Sequence, residues 1–174
     1  RLTFQSLSEQ ALVARHNEKT IWQPRDKGIA WIEIANLPPP GPNSAVRARQ
    51  LKTIAGSFEA KISQRDAPTS FRELRRLTQP LYRYSSPKLK ILDGAIFAFV
   101  DGTDPELLLL IECIGGDSPA IRVAPARQNH RNLVLNRAGQ PVWNAEQIAP
   151  PFPNPRISDP AGVYYNTTWR TINR

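Results

Sequence analysis

In ILDGAIFAFVDGTDPELLLLIE, residues 91–112, two apolar runs flank a short segment crowded with Asp, Gly and Pro. Ala95 to Val100 is rich in Ile, Phe and Val, and Leu107 to Ile114 is apolar almost throughout. DGTDPE between them supplies what a turn needs: Gly for positive φ, Asp for side-chain-to-backbone bonds, Pro to fix φ. The stretch therefore predicts a β-hairpin, with Asp93, Asp101, Asp104, Glu106 and Glu112 as its punctuation rather than its chemistry. Leu107 to Ile111 is apolar on both faces, so this strand should be central, with the helix on one side and loops or another sheet on the other.

Working outward, Leu51, Ile54, Ala55, Phe58 and Ile62 follow a helical spacing, which predicts one amphipathic helix from the Asn43 or Ser44 cap to about residue 62. In APTSFRELRRL, 67–77, Ser70 and Glu73 have capping-box spacing, and local signals favour a short helix over a strand. LYRY after Pro80 reads as strand, as do segments of IRVAPAR, NLVLNRAGQPVW and GVYYNTTWRTI. LPPPGPN at 37–43 holds three consecutive prolines and can be neither helix nor central strand. APPFPNPRISDP near the other end reads as an extended arm, which Phe152 and Ile157 would lay along a surface. The expectation is an α+β fold, mainly an antiparallel β-sheet with the helix packed on it. Its segments are a hairpin region at 1–36, a linker at 37–43, a helix-plus-sheet domain at 44–145, an arm at 146–160 and a C-terminal strand at 161–174.

The 174 residues carry 23 Lys+Arg against 15 Asp+Glu, a formal charge of +8 that attracts polyanions in general. The basic residues are spread out: Arg47, Arg49 and Lys52, then Arg72, Arg75 and Arg76, then Arg127 and Arg131. The plain reading is a solvated face with scattered ion pairs. The longest apolar run, LLLLI at 107–111, is strand-sized and far short of a membrane span. Cys113 is the single cysteine, so no intramolecular disulfide holds the fold. The chain contains no Met, which suggests processing or trimming.

An internal echo adds to this. LVARHNEKTIWQP at 12–24 lies over LVLNRAGQPVWNA at 133–145 without a gap, matching Leu12 with Leu133, Val13 with Val134 and Trp22 with Trp143. Both read as a hairpin ending in Trp, and with only three identities the residues leave two readings open: an internal duplication of a β-unit, or coincidence between two hairpins of similar length. On the first of these the natural polypeptide extends upstream with another D-G-apolar strand pair. Leu2 to Ile34 then either joins the sheet of the second unit or is covered by a separate chain.

LTQPLYRY, LDGAIFAFVDGTDPELLLLIE and the later PVW together resemble a group of uncharacterised exported proteins common in planctomycete bacteria. The resemblance spans most of the chain and is most specific across 77–112. It implies export to the periplasm or cell envelope and two related halves. It implies no activity. The group tends to have aromatic residues after the PELLLLIE strand, where this chain has Ile121 and Val123.

For chemistry, the candidates are few. Asp101 and Asp104 lie three apart with no D-x-D-x-D run, so a turn is favoured over a cation site. Glu112, at the end of an apolar strand, is the leading carboxylate for a hydrolase, although strand ends usually reach water. Cys113 with His16 or His130 would need to converge, and Cys113 reads better as a small buried hydrophobe. Tyr82 and Tyr84, or Tyr164, Tyr165 and Trp169, could stack on a ligand, though same-face strand aromatics are more often core; Trp22 and Trp143 are assigned to packing at hairpin ends.

The favoured function is non-catalytic: a structural or binding protein of the envelope, or a subunit of a larger assembly with a protein partner, and no cofactor or metal is called for. The alternatives are an envelope hydrolase using carboxylates near Glu112, and polyanion binding through Arg47, Arg49, Lys52, Arg72, Arg75 and Arg76. A concave pocket lined by two or more carboxylates would favour the enzyme, and a flat apolar patch beside the arm would favour assembly.

Overall fold

The computed structural model describes residues 2–148 and 159–167. The opening stretch forms the expected hairpin, longer than its apolar runs: β7 (Ile91–Asp101) pairs antiparallel with β8 (Asp104–Ile114), from Ile91↔Ile114 to Asp101↔Asp104. The turn is only Gly102 and Thr103, with Gly102 at φ 66°, a conformation glycine adopts without penalty. Around this hairpin the fold is α+β and mainly antiparallel. Further elements are β4 (Phe58–Ser63), β5 (Phe71–Arg76), β6 (Tyr82–Ser86), β9 (Ala120–Arg127), β10 (Leu133–Arg137) and β11 (Gln140–Ala145). They form an eight-stranded sheet in the order β11-β10-β4-β5-β7-β8-β9, with β6 also on β7.

As expected, β8 is buried on both faces. On one side Phe97, Leu107, Leu109, Ile111 and Val123 meet Leu51, Ile54 and Ala55 of helix α1 (Ser44–Gly56). On the other, Ala98, Leu108, Leu110 and Ala124 meet Ile29, with Leu7 and Trp31 packed alongside. Asn43 caps α1, its side chain accepting from the Val46 amide at 3.0 Å. The Pro-rich linker is pinned to the helix through Gln50, whose amide spans the Gly41 N–H and the Pro39 carbonyl.

Two local expectations are corrected. The helix ends at Gly56, not near 62, because Ser57 turns back onto the Ile54 carbonyl with both its amide and its hydroxyl. FEAKIS then alternates as β4, with Phe58, Ala60 and Ile62 buried and Glu59 exposed, so the same apolar residues that fit a helical period fit a period of two. SFRELRR, read as a short helix, is the strand β5, held by pairing with β4 from Ala60↔Leu74 to Ser63↔Phe71. Tertiary pairing outweighs a local capping signal here.

The N-terminal region forms β1 (Leu2–Gln5), β2 (Ala14–His16) and β3 (Lys19–Trp22). β1 pairs with β12 (Tyr164–Thr167), β2 pairs with β3, and Ile32 reaches the large sheet by a bridge to Val123. The echoing hairpins match pair for pair. Ala14↔Trp22, Arg15↔Thr20 and His16↔Lys19 correspond to Leu135↔Trp143, Asn136↔Pro141 and Arg137↔Gln140, with the register shift at the same place. Both turns hold two residues at positive φ, Asn17 and Glu18 in one, Ala138 and Gly139 in the other. Upstream of each echoing hairpin lies a strand in an antiparallel pair, β1 with β12 and β9 with β8.

Candidate functional site

The carboxylates of the opening stretch are more than turn punctuation. Only Asp101 and Asp104 flank the turn; Asp93, Glu106 and Glu112 are buried, each beside a cation. Glu112 does not end its strand in water. It sits in a row across four strands, Tyr84, Gly94, Glu112 and Arg122, which are in register with one another. The Tyr84 hydroxyl donates to Glu112 Oε1 at 2.8 Å, and Arg122 donates from Nε to Oε2 at 2.8 Å. Gly94 makes this reach available, because a Cβ there would lie 2.5 Å from the Tyr84 ring. Arg122 in turn stacks 3.8 Å over the Trp31 ring. Burial, with the Glu112 carboxylate second, pushes the Tyr84 phenol far above its ordinary range. Every charge in this row has a partner, and Glu112 itself is buried.

Asp93 is closed in a similar way at the start of α1, where it accepts from Arg83 at 2.6 Å and Ser44 at 3.2 Å, with Arg47 Nε 3.9 Å away. The helix N-terminus favours a carboxylate there. Cys113 is fully buried and burial pushes its thiol up to about 11, so it is no nucleophile at neutral pH.

The third cluster is open. At the turn end of the β7–β8 hairpin lies a cavity of about 460 Å³ lined by polar side chains from four places: the β4–β5 loop, β5, the hairpin itself and the β9–β10 loop. Arg131 is its centre. It donates from Nη1 to the Ser63 carbonyl at 2.9 Å, and its Nη2 stands 3.7 Å from both Asp101 Oδ2 and Glu106 Oε1. Arg72 also pairs with Asp101, and the Asn129 amide donates to Glu106 Oε2. Arg127 holds the β9–β10 loop in place by donating to the carbonyls of Asn129, Arg131 and Glu146. Burial pushes the Glu106 carboxyl up, a shift opposed by Asn129 and Arg131 and reinforced by Asp101 and Asp104. Asp104, Asp66 and Arg65 are exposed at the rim, and His130 completes the lining.

A carboxyl raised in the folded state binds its proton more tightly there than in the unfolded chain. Its contribution to stability is full below the unfolded pKa and is lost as pH rises through the folded one. Glu106→Gln, which cannot ionise, should therefore gain on the wild type as pH is raised from about 4 to 7. Urea unfolding across that range measures it; a parallel pH dependence of the two proteins would contradict the raised carboxyl.

The remaining expected residues divide. Arg72 enters the cleft and Arg47 turns to Asp93, whereas Arg75 donates to the Gly102 carbonyl and Arg76 to that of Leu77. Arg49 and Lys52 line separate grooves beside α1. No single cationic patch gathers these six among the described residues. Tyr82 and Tyr84 stack at 6.1 Å with Tyr82 63% exposed, while Tyr164 and Tyr165 are buried, Tyr165 against Phe4, which also meets Trp22. Trp22 donates to the Gly162 carbonyl and Trp143 packs on the helix-side core, as assigned. Trp169, Phe152 and Ile157 lie outside the described residues. Asn129 had no signal of its own in the sequence, and Glu106 read there only as part of the turn: the β9–β10 loop and the hairpin turn lie more than 20 residues apart, and only the β8–β9 pairing brings them together.

Among the described residues no group of His, Cys, Asp and Glu is arranged to hold a metal ion, and no helix is long and apolar enough to cross a membrane. No protein-family model, curated protein or solved structure matches the chain.

Proposed function

We propose that this is a non-catalytic binding protein of the cell envelope whose site is the Arg131 cleft, and that it takes a small polar solute carrying a cationic amine. The observation that carries the reading is a local inversion of charge. The chain has a formal charge of +8, yet Asp66, Asp101, Asp104 and Glu106 outnumber Arg65, Arg72 and Arg131 in the cleft lining. Arg72 pairs with Asp101, and Arg131 is engaged with Asp101, Glu106 and the Ser63 carbonyl, while Arg65 is exposed at the rim; a ligand cation finds Asp104 at the rim and Glu106 within. A bound cation favours the ionised form of Glu106, and affinity should rise with pH through the titration of that group.

Isothermal titration with glucosamine, N-acetylglucosamine and glucuronic acid compares three solutes of similar frame and different charge. Glucosamine alone should bind, and Glu106→Gln should weaken it by about tenfold, the worth of a hydrogen bond to a charged group. Tighter binding of glucuronic acid, or no binding by any of the three, would sink the reading.

One observation favours a second reading. Glu106, raised by burial, shares the cleft with Asp101, which is ion-paired to Arg72 and Arg131. Carboxyl groups in contrasting environments suit hydrolysis with Glu106 as acid and Asp101 as base. This moves the hydrolase alternative away from Glu112, which is enclosed. Turnover of a chromogenic amino-sugar glycoside, abolished in Glu106→Gln, would put this reading first.

A further inference from the structure

We infer that the corner where β6 turns into β7, residues 81–92, is a second binding surface, by which the protein docks on an anionic lipid membrane. Among the described residues six large apolar side chains are exposed, and four of them, Leu81, Tyr82, Leu89 and Leu92, belong to this corner. An apolar cluster held in water marks a place of contact. Its charge is one-sided as well. From Gln79 to Leu92 the sequence has Arg83, Lys88 and Lys90 and no carboxylate. Arg83 is engaged with the buried Asp93, whereas Lys88 and Lys90 are exposed.

Backbone pairing fixes how these side chains are presented. Arg83 reaches Asp93 and Ser44 on the α1 side of the sheet, so Tyr82 and Tyr84, which alternate with it, take the opposite face. There Tyr82 stacks on Tyr84, the Tyr84 ring covers Gly94, and Leu92 follows along β7 against Gly115. At the Ile91 end a 3₁₀ turn, Pro87–Leu89, places Leu89 between Lys88 and Lys90 with 61% of its surface exposed. The Lys90 amide closes this turn on the Pro87 carbonyl, and the Gly115 amide pins it to the β8–β9 loop through the Lys90 carbonyl. Lys90 lies against Gly116, and Asp117 is exposed in the same loop, so two lysines stand beside one carboxylate.

The apolar and cationic features together select the occupant. DNA or heparin would engage the lysines and leave three leucines and Tyr82 in water. A neutral apolar partner would cover the leucines and leave the lysines unanswered. At an anionic membrane the leucines enter the acyl boundary, Tyr82 sits among the headgroups, and the lysine stems extend to the phosphates. This surface is separate from the Arg131 cleft, which lies at the other end of the β7–β8 hairpin.

The test is co-sedimentation of the whole protein with vesicles of phosphatidylcholine mixed with phosphatidylglycerol, against vesicles of phosphatidylcholine alone. Only the mixed vesicles should bind. Replacing both lysines, Lys88→Gln with Lys90→Gln, should weaken binding about 30-fold, and Leu89→Ser about tenfold. Cys113 is fully buried, so Leu89→Cys can be labelled selectively with an environment-sensitive dye, whose emission should shift to the blue on the mixed vesicles. No binding, equal binding to both kinds of vesicle, binding that ignores these substitutions, or a dye that stays in water would overturn the inference.

Discussion

Replacing Glu112 with alanine is expected to lower the free energy of unfolding by about 3–5 kcal/mol, the usual consequence of removing one partner from a buried ion pair. The side chain is buried between Tyr84 and Arg122, with Oε2 2.7 Å from Arg122 Nη2. Its loss leaves a phenol and a guanidinium facing a void in a row where β6, β7, β8 and β9 are in register. Urea unfolding with an unchanged slope is the measurement. A loss below about 1 kcal/mol would mean that the row is a bystander, and that Glu112 is free for some other task.

Phe97→Ala should cost a comparable amount, about 3–5 kcal/mol, for a different reason. Phe97 is fully buried on the helix side of β7, in the cluster that contains Leu51 and Ile54. No polar partner is orphaned here; the loss is apolar contact and the residual cavity. Phe97→Leu keeps most of the volume and should recover more than half of the stability. If alanine and leucine were equally mild, the contact between α1 and the sheet would be loose. The same unfolding curves decide it.

Apolar patterning made the sheet legible, because β7 and β8 are long, rich in β-branched and aromatic residues, and divided by turn chemistry that few other structures use. The helix start was legible from Asn43, whose cap is a local interaction. Its end was not, since Phe58 and Ile62 satisfy a helical spacing and an alternating one together, and the decision rests on Ser57 and on pairing with β10 and β5. β5 was missed for the same reason: Leu74 is its one buried side chain, too little to show a period.

The hairpin echo rested on few identities, yet the register, the bulge and the turn reproduce it. The site was the least legible part. Asp101 and Glu106 were visible, but Arg131 was one basic residue among many and Asn129 carried no signal. Their meeting depends on a loop folding back over a turn, which no local pattern records.

The most direct test of the cleft is a two-dimensional amide NMR titration of the whole protein with glucosamine. Shift changes should be confined to the turn end of the β7–β8 hairpin and to the β9–β10 loop, around Asp104, Glu106, Asn129 and Arg131, and should fade in Glu106→Gln. Changes centred elsewhere, on the Tyr82–Tyr84 face or along α1, or a spectrum unmoved at saturating amine, would contradict the assignment of this cleft as the binding site.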